Sequence, residues 1–322
     1  MRIFTKQQPA PRVRLTDCIY AHINTSRYSA KQKRTYRNVA THVARFEAKT
    51  GIIIYVDSFT ESHAHEFIYY LRSDARRKGN AKAGNGLMQN SVANIWHKVA
   101  CVLNKASRGN SNVNQDFRNI KLQKEDANAV YLTLEELARL NALKGLSTGA
   151  RAVRDMFLVG CFSALRLSDY SQLTAANIIH NNIEVKTRKT GAKVVIPIHP
   201  VVRGVLQRNK GDFPKIPSAQ SFNDTVKRVC RQAGITDEVL YERTVGVKIV
   251  RKRVKKHTLV TSHTARRTAA TNMYLAGISV YQIMLITGHT TEQAFFRYIR
   301  IGREENAKKL AEHNFFSGEL AG

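Results

Sequence analysis

Five short segments carry residue types that can act together on a phosphodiester. They read Ala164-Leu165-Arg166-Leu167-Ser168-Asp169, Arg188-Lys189-Thr190-Gly191, His263-Thr264-Ala265-Arg266-Arg267, Gly288-His289 and, nine positions after that histidine, Tyr298. A phosphodiester is an anion, and nucleophilic attack on it builds a more highly charged pentacoordinate transition state. Arginine suits that charge, because its planar fork donates two parallel hydrogen bonds to phosphate oxygens and stays protonated. Arg166 and Arg266 are expected to clamp the two non-bridging oxygens by electrostatic preorganisation. Tyr298 is the expected nucleophile; a free phenol titrates near pH ~10, so it needs a proton acceptor or neighbouring cations. His263 stands one helical turn before Arg266 and can accept or relay that proton. His289 is expected to donate a hydrogen bond to a phosphate oxygen. The departing oxygen needs a proton, and Lys186, Lys189 and Lys193 compete for that role. A phenolate leaves well, so the covalent step is reversible. The link keeps the bond energy, and no metal, ATP or other cofactor is expected.

Each residue also has a plainer reading. Arg166 could face a helix dipole, and His289 after Gly288 could be a helix-capping residue. Tyr298 follows Phe295 and Phe296 and could be a core aromatic. Tyr274 and Tyr281 are rival nucleophiles, but both precede His289 and read as packing residues. Asp169 is expected to hold its helix end or to orient an arginine.

The background is strongly basic. The chain has 322 residues, with 52 Lys and Arg against 24 Asp and Glu, a formal charge of +28. Its hydrophobic fraction of 43% argues against disorder. Such like charge opposes compaction unless a polyanion is met, which points to nucleic acid. The surplus is spread: residues 1–129 hold 22 basic and 9 acidic side chains, and residues 130–322 hold 30 and 15. No apolar run, Gly51 to Val56 included, approaches the ~20 residues of a spanning helix, and no secretory signal opens the sequence. Cys18, Cys101, Cys161 and Cys230 lie too far apart for a CxxC zinc site, so a reducing cytoplasm fits.

These segments need elements to hold them. Residues 1–14 read as a flexible basic arm. Tyr36, Val39, Ala40, Val43 and Phe46 form one helical stripe, and Val92, Ile95, Trp96, Val99 and Leu103 another. A further helix fits Ser62–Arg72, and Gly79–Gly86 reads as a loop. Together these make a helical domain over 15–106. Residues 107–129 read as a linker. Thr133 and Glu136 form a capping box that opens a second domain, 130–322. There Ala150–Ala164 and Ser218–Ala233 read as helices. Ile183–Thr187 and Lys193–Ile198 read as a hairpin around Lys189, and Arg243–Val260 as a second, basic one. Ser279 with Gln282 and Thr290 with Gln293 open further helices, and a last one is expected over Glu304–Asn314. The fold class is mainly α with a small antiparallel β-sheet.

Arg, Lys in a Lys-Thr-Gly turn, His-x-x-Arg, Gly-His and Tyr occur here in the order of the tyrosine recombinases, the phage-integrase family, in its mobile-element or Xer-like form. The resemblance covers about 130–315; residues 15–106 resemble, on weaker grounds, that family's helical core-type DNA-binding (SAM-like) domain. The resemblance implies Arg166, Lys189, His263, Arg266, His289 and Tyr298 as the catalytic set, with Lys189 the general acid. It implies a C-shaped clamp on duplex DNA, a 3′-phosphotyrosyl intermediate, a Holliday junction, and integration, inversion or resolution as the outcome. It implies a homo-tetramer on paired recombination sites through the C-terminal helix, in the cytoplasm at the nucleoid; an accessory DNA-bending protein is a further partner that the family allows. Arg37, Lys98, Arg188, Arg251, Lys252, Arg253 and Arg267 are the expected DNA-contacting cations. A type IB topoisomerase shares the catalytic residues and is the rival enzyme. An inactive DNA-binding relative is the rival from another class.

Overall fold

The structure is a computed structural model that describes residues 12–75, 86–108, 113–125, 128–296, 298–299, 307, 310–311 and 316. The chain forms two units. One contains residues 1–127 with 241–252, and the other contains 128–240 with 253–322.

The first unit is helical: α1 (Leu15–Thr25), α2 (Ala30–Thr50), α3 (Glu61–Ser73) and α4 (Gln89–Ser107). Ser29 caps α2 in a reciprocal box with Gln32, and Gly51 ends it in the left-handed conformation at φ 73°. The expected stripes of α2 and α4 are buried together with Phe67 and Leu71 of α3. Trp96 satisfies its indole N–H on the carbonyl of Ile120 at 3.0 Å. The stretch read as a linker, 107–129, sends Val113 and Phe117 into this core. Its polar composition hid these two apolar anchors. Of the expected arm, residues 1–11 lie outside the described residues; Arg14 pairs with Tyr55, and Arg12 meets Asp57 at 3.3 Å. Residues 79–85 of the expected glycine loop also lie outside the description.

The second unit begins with α5 (Leu134–Ala142), α6 (Thr148–Ser163) and the single turn α7 (Leu167–Tyr170). Thr133 and Glu136 form the expected reciprocal cap of α5. An antiparallel sheet follows, with β1 (Ile178–Ile179), β2 (Asn182–Lys186) and β3 (Lys193–Pro197) in that order. Ile183 pairs with Ile196 and Val185 with Val194. Then come α8 (Pro200–Arg208), α9 (Ala219–Gln232) and a two-stranded ribbon, β4 (Glu238–Val245) and β5 (Lys248–Lys255), whose residues 241–252 belong to the first unit. The unit closes with α10 (Ser262–Leu275), α11 (Val280–Thr287) and α12 (Glu292–Phe296). The whole is mainly α with small antiparallel sheets. The ribbon starts earlier than the basic run suggested, because Glu238 to Tyr241 alternate as a strand and pair with it. In α12, Thr291 rather than Thr290 accepts the capping bond, from Ala294 N–H. Within the expected C-terminal helix, Ala307, Leu310 and Ala311 are helical and exposed, and the rest lies outside the described residues.

Helix α10 is the centre of this unit. It packs on α6, where Gly160 faces Ala265; a Cβ at Gly160 would lie 2.8 Å from the Tyr170 ring. Thr268 and Asn272, one turn apart, satisfy the N–H and carbonyl of Leu132 at 3.0 Å each. Among the described residues no helix is long and apolar enough to cross a membrane.

A buried ionic knot ties α6 to α8. Asp155, 0% exposed, accepts from Arg154, Arg208 and Asn209. Removing the carboxylate leaves Arg154 buried without its counter-charge. Asp155→Ala is expected to cost about 3–5 kcal/mol, read as a fall in the urea midpoint at unchanged slope. A loss below ~1 kcal/mol would mean that water reaches Arg154 and replaces the carboxylate.

Candidate active site

Arg266 sits four residues past the α10 N-terminus and is 1% exposed. The α10 N-terminus itself is fixed by Asn223 of α9, whose side-chain oxygen accepts from Ser262 N–H at 2.7 Å. The guanidinium then spans two other helix ends. Nη1 donates to the Ala164 carbonyl at 2.7 Å, and Nη2 donates to the Thr287 carbonyl. Both carbonyls lie at helix C-termini, where orphan acceptors and the helix dipole favour a cation. Ala164 aims its carbonyl from a left-handed turn at φ 57°, unusual for a residue with a Cβ. The Nε–H of Arg266 has no acceptor among the described residues; Tyr298, by its charge and by a side-chain hydrogen bond, acts to raise the Arg266 pKa.

Arg166 follows Ala164 by two positions and caps α7, its carbonyl accepting from Asp169 and Tyr170 N–H. Its Nη1 is buried and has no protein acceptor either. The two guanidinium groups repel: burial first, then the Arg166 charge, lowers Arg266 to about 10, which leaves it protonated at neutral pH. Two cations, one buried and one half-buried, each with a buried orphan N–H, mark a place for an anion. Asp169 turns the other way. Its Oδ1 accepts from Arg188 N–H at 2.9 Å and so holds the start of the turn that carries Lys189. Thr187 closes that turn, with its hydroxyl 2.8 Å from that of Thr190, and Gly191 supplies the positive φ of 72°. Of the three competing lysines, Lys193 is paired with Glu184 at 2.7 Å, and Lys189 is the one whose charge acts on both site histidines.

Tyr298 lies one turn beyond α12 rather than on that helix, with its N–H on the Phe295 carbonyl at 2.7 Å. Its half-buried ring packs on the small cluster of Ala270, Ile283 and Phe295, so it is partly a packing residue as well. The same ring faces the cations: its centroid is 5.5 Å from the Arg266 guanidinium carbon and 5.9 Å from that of Arg267. His289 and His263 flank it at 4.6 and 5.3 Å between centroids. Gly288, at φ 63°, ends α11 and folds His289 back toward this cluster. Both histidines are pushed down to about 4. For His263 the causes are desolvation, then Arg267, Arg266, Arg166 and Lys189. For His289 they are desolvation, then Arg266, Arg166, His263 and Lys189.

The structure thus brings Arg166, Lys189, His263, Arg266, His289 and Tyr298 to one place in the second unit. Arg267, expected only as a DNA contact, joins them beside Tyr298. The other expected DNA contacts differ in freedom. Arg37 on α2, Arg188 in the turn and Arg253 on the ribbon are exposed. Lys98 lies over the Tyr36 ring at 4.4 Å, Arg251 is paired with Glu242 at 2.6 Å, and Lys252 lies 5.5 Å from the Tyr241 ring. Sequence reasoning missed Thr287 and Asn223. Thr287 had a signal, a polar residue ending an apolar run just before Gly288-His289. Asn223 had none, since its partner is 39 positions away.

Fold and cluster together define a mainly helical domain with a cationic cluster around a tyrosine, joined to a helical unit. The phage integrase SAM-like domain matches residues 14–122, and the phage integrase family matches residues 130–305. The chain belongs to the phage integrase family, the tyrosine recombinases. No curated protein matches the sequence. The fold is similar to that of a phage lambda integrase fragment, residues 75–356, solved as a dimer on a COC′ core site. There the identity is 14%, with 89% of this chain and 94% of that one covered and a TM-score of 0.64. The Tn1549 transposon integrase with circular intermediate DNA gives 16% identity, 94% and 100% coverage, and a TM-score of 0.65. A lambda integrase tetramer on a Holliday junction gives 15%, 90%, 84% and 0.62.

The lowered histidines have a consequence for stability. Unfolded histidine titrates near ~6.5, so in the window from there down to about 4 the unfolded chain binds protons that folded His263 and His289 refuse. Their contribution to stability is full above the unfolded value and is lost as pH falls through that window. Acidification from about pH 7 to about pH 4.5 is expected to lower the urea midpoint less in a His263→Gln/His289→Gln variant than in wild type. Equal slopes would place both rings in the ordinary histidine range.

Proposed function

We propose that this chain is a site-specific DNA recombinase that cleaves and rejoins duplex DNA through Tyr298. The observation that carries the reading is the pair of guanidinium groups, buried Arg266 and half-buried Arg166, each with a buried N–H that has no acceptor among the described residues, with Arg266 beside the Tyr298 ring. In this reading the scissile phosphate accepts those N–H groups, and its charge relieves the repulsion between the arginines. The Tyr298 oxygen attacks phosphorus and forms a 3′-phosphotyrosyl bond, the bond to the 5′-oxygen breaks, and Lys189 protonates that oxygen. His263 takes the phenol proton, for which a ring held neutral by its cationic neighbours is suited. His289 serves the phosphate. Reversal of the step with a second 5′-hydroxyl reseals the strand, so neither ATP nor a metal enters.

The surrounding positive charge fits the same reading. The lambda and Tn1549 integrases were solved on DNA, and one as a tetramer on a Holliday junction. By similarity, this chain acts on paired sites as a tetramer, with both units on the DNA and its C-terminal segment between protomers, at the nucleoid. Integration, inversion and resolution share this chemistry. The type IB topoisomerase reading differs in lacking site selectivity.

A duplex nicked near the cleavage site tests the chemistry, since loss of the short strand traps the covalent adduct. Wild type is expected to form it and Tyr298→Phe to form none; an equal adduct from the Phe variant would remove Tyr298 as nucleophile. Arg266→Ala and Arg166→Ala are expected to slow the adduct by about 10²–10³-fold, the cost of one oxyanion donor in comparable sites. Adducts confined to particular sequences among random fragments distinguish a recombinase from a topoisomerase.

Salt separates binding from chemistry. Affinity for duplex DNA is expected to fall by about 10³-fold or more between ~50 and ~200 mM salt, while the adduct rate of preformed complexes changes little. An affinity indifferent to salt would contradict phosphate contacts from both units.

A further inference from the structure

Thr287 is the last residue of α11 and is 0% exposed. It reaches the site with two groups. Its carbonyl accepts from Arg266 Nη2. Its hydroxyl donates to the Ile283 carbonyl at 2.8 Å and lies 2.8 Å from His289 Nδ1. A hydroxyl has one proton. Once that proton is given to Ile283, the oxygen can only accept, so Nδ1 must carry a hydrogen. The far side of the ring gives the same answer independently. Nε2 lies 3.4 Å from Arg266 Nη2, and a guanidinium can only donate, so Nε2 presents its lone pair.

We propose that Thr287 is a positioning residue that selects the Nδ1-protonated tautomer of His289, leaving Nε2 as an acceptor toward Arg266 in the free protein. The inference rests on the recombinase reading for its catalytic consequence but not for the tautomer itself. It also corrects the expectation that His289 stands ready as a donor: in this arrangement Nε2 becomes a donor to phosphate only after the ring gains a proton. Thr287 suits that second state too, because its oxygen still accepts from Nδ1 when both nitrogens are protonated. The charged or titratable groups acting on the ring are Arg266 and His263 from α10, Arg166 from the α6–α7 corner and Lys189 from the β2–β3 turn, with the tilted Tyr298 ring beside it. All the fixed charges among them are positive. They hold the ring neutral until an anion arrives, and Thr287 decides which neutral form that is.

The full-length protein labelled with ¹⁵N-histidine shows the tautomer directly in a long-range ¹H–¹⁵N correlation spectrum. Wild type and Thr287→Ser are expected to show His289 protonated on Nδ1; Thr287→Val is expected to move the proton to Nε2 in a substantial fraction of molecules. With the nicked duplex, Thr287→Val is expected to slow adduct formation about 10–100-fold, the size of effect seen when a ligand-orienting partner is removed. DNA affinity should stay unchanged, and Thr287→Ser should restore most of the rate. A wild-type ring already protonated on Nε2 overturns the proposal, as does a Val variant with unaltered tautomer and rate. If Thr287→Val fails to fold, the wild-type and Ser spectra still decide. Absence of any adduct from wild type would sink the recombinase reading alone, since the spectrum stands apart from activity.

Discussion

The second unit is organised around the burial of one positive charge. Arg266 is almost wholly out of water, and its charge is kept there by carbonyls from the C-terminal ends of two other helices. A buried cation without such partners would be strongly destabilising. The three elements that meet at it are therefore not independent: α10 carries the arginine, α6 ends at Ala164 to receive it, and α11 ends at Thr287 for the same purpose. Each of those helix ends then hands the chain directly to another site residue. Arg166 follows Ala164 by two positions and His289 follows Thr287 by two. One guanidinium thus sets the positions of the second arginine and the second histidine.

This arrangement concentrates four cations around His263, with Asp169 the acid that acts on Arg266. Arg166, Arg266, Arg267 and Lys189 all act on His263. Asp169, the nearby acid, spends one oxygen on the backbone of the lysine turn. The repulsion is held by packing: the Gly160–Ala265 approach of α10 to α6, the buried threonines of α10, and the Asp155 knot below. A phosphate is the natural complement to such a site, and the two histidines, held neutral, are available for proton transfer rather than for adding further charge.

Much of this was legible in the linear sequence. The helical stripes of α2 and α4, the capping boxes at Thr133 and Ser279, and the hairpin around Lys189 depend on neighbours within one or two turns, and local pattern reads them well. The six catalytic candidates could be named because residue type and order survive in the chain. The misreadings have a common source. Residues 113–117 look like a linker because their two apolar side chains are diluted by polar ones, yet both find a core. The Thr290 cap missed by one residue at a helix end, where capping by Thr291 decides the boundary. Lys98 and Arg251 looked like free cations because a Tyr36 face and a Glu242 carboxylate are brought to them only by folding.

By itself the sequence determined the chemistry available: two arginines, a turn lysine, two histidines and a tyrosine, in an order and a basic setting suited to a DNA phosphate. Type, spacing and net charge are properties of the chain and need no fold. Only the tertiary structure decided how those groups are held. It placed Arg266 between two helix ends, oriented Asp169 toward the lysine turn, added Arg267 beside the tyrosine, and set Thr287 against His289. Those relations join residues up to 102 positions apart, as for Arg266 and Ala164. They arise because a buried charge and a buried hydroxyl must each find partners, and the partners come from wherever the packed helices place them.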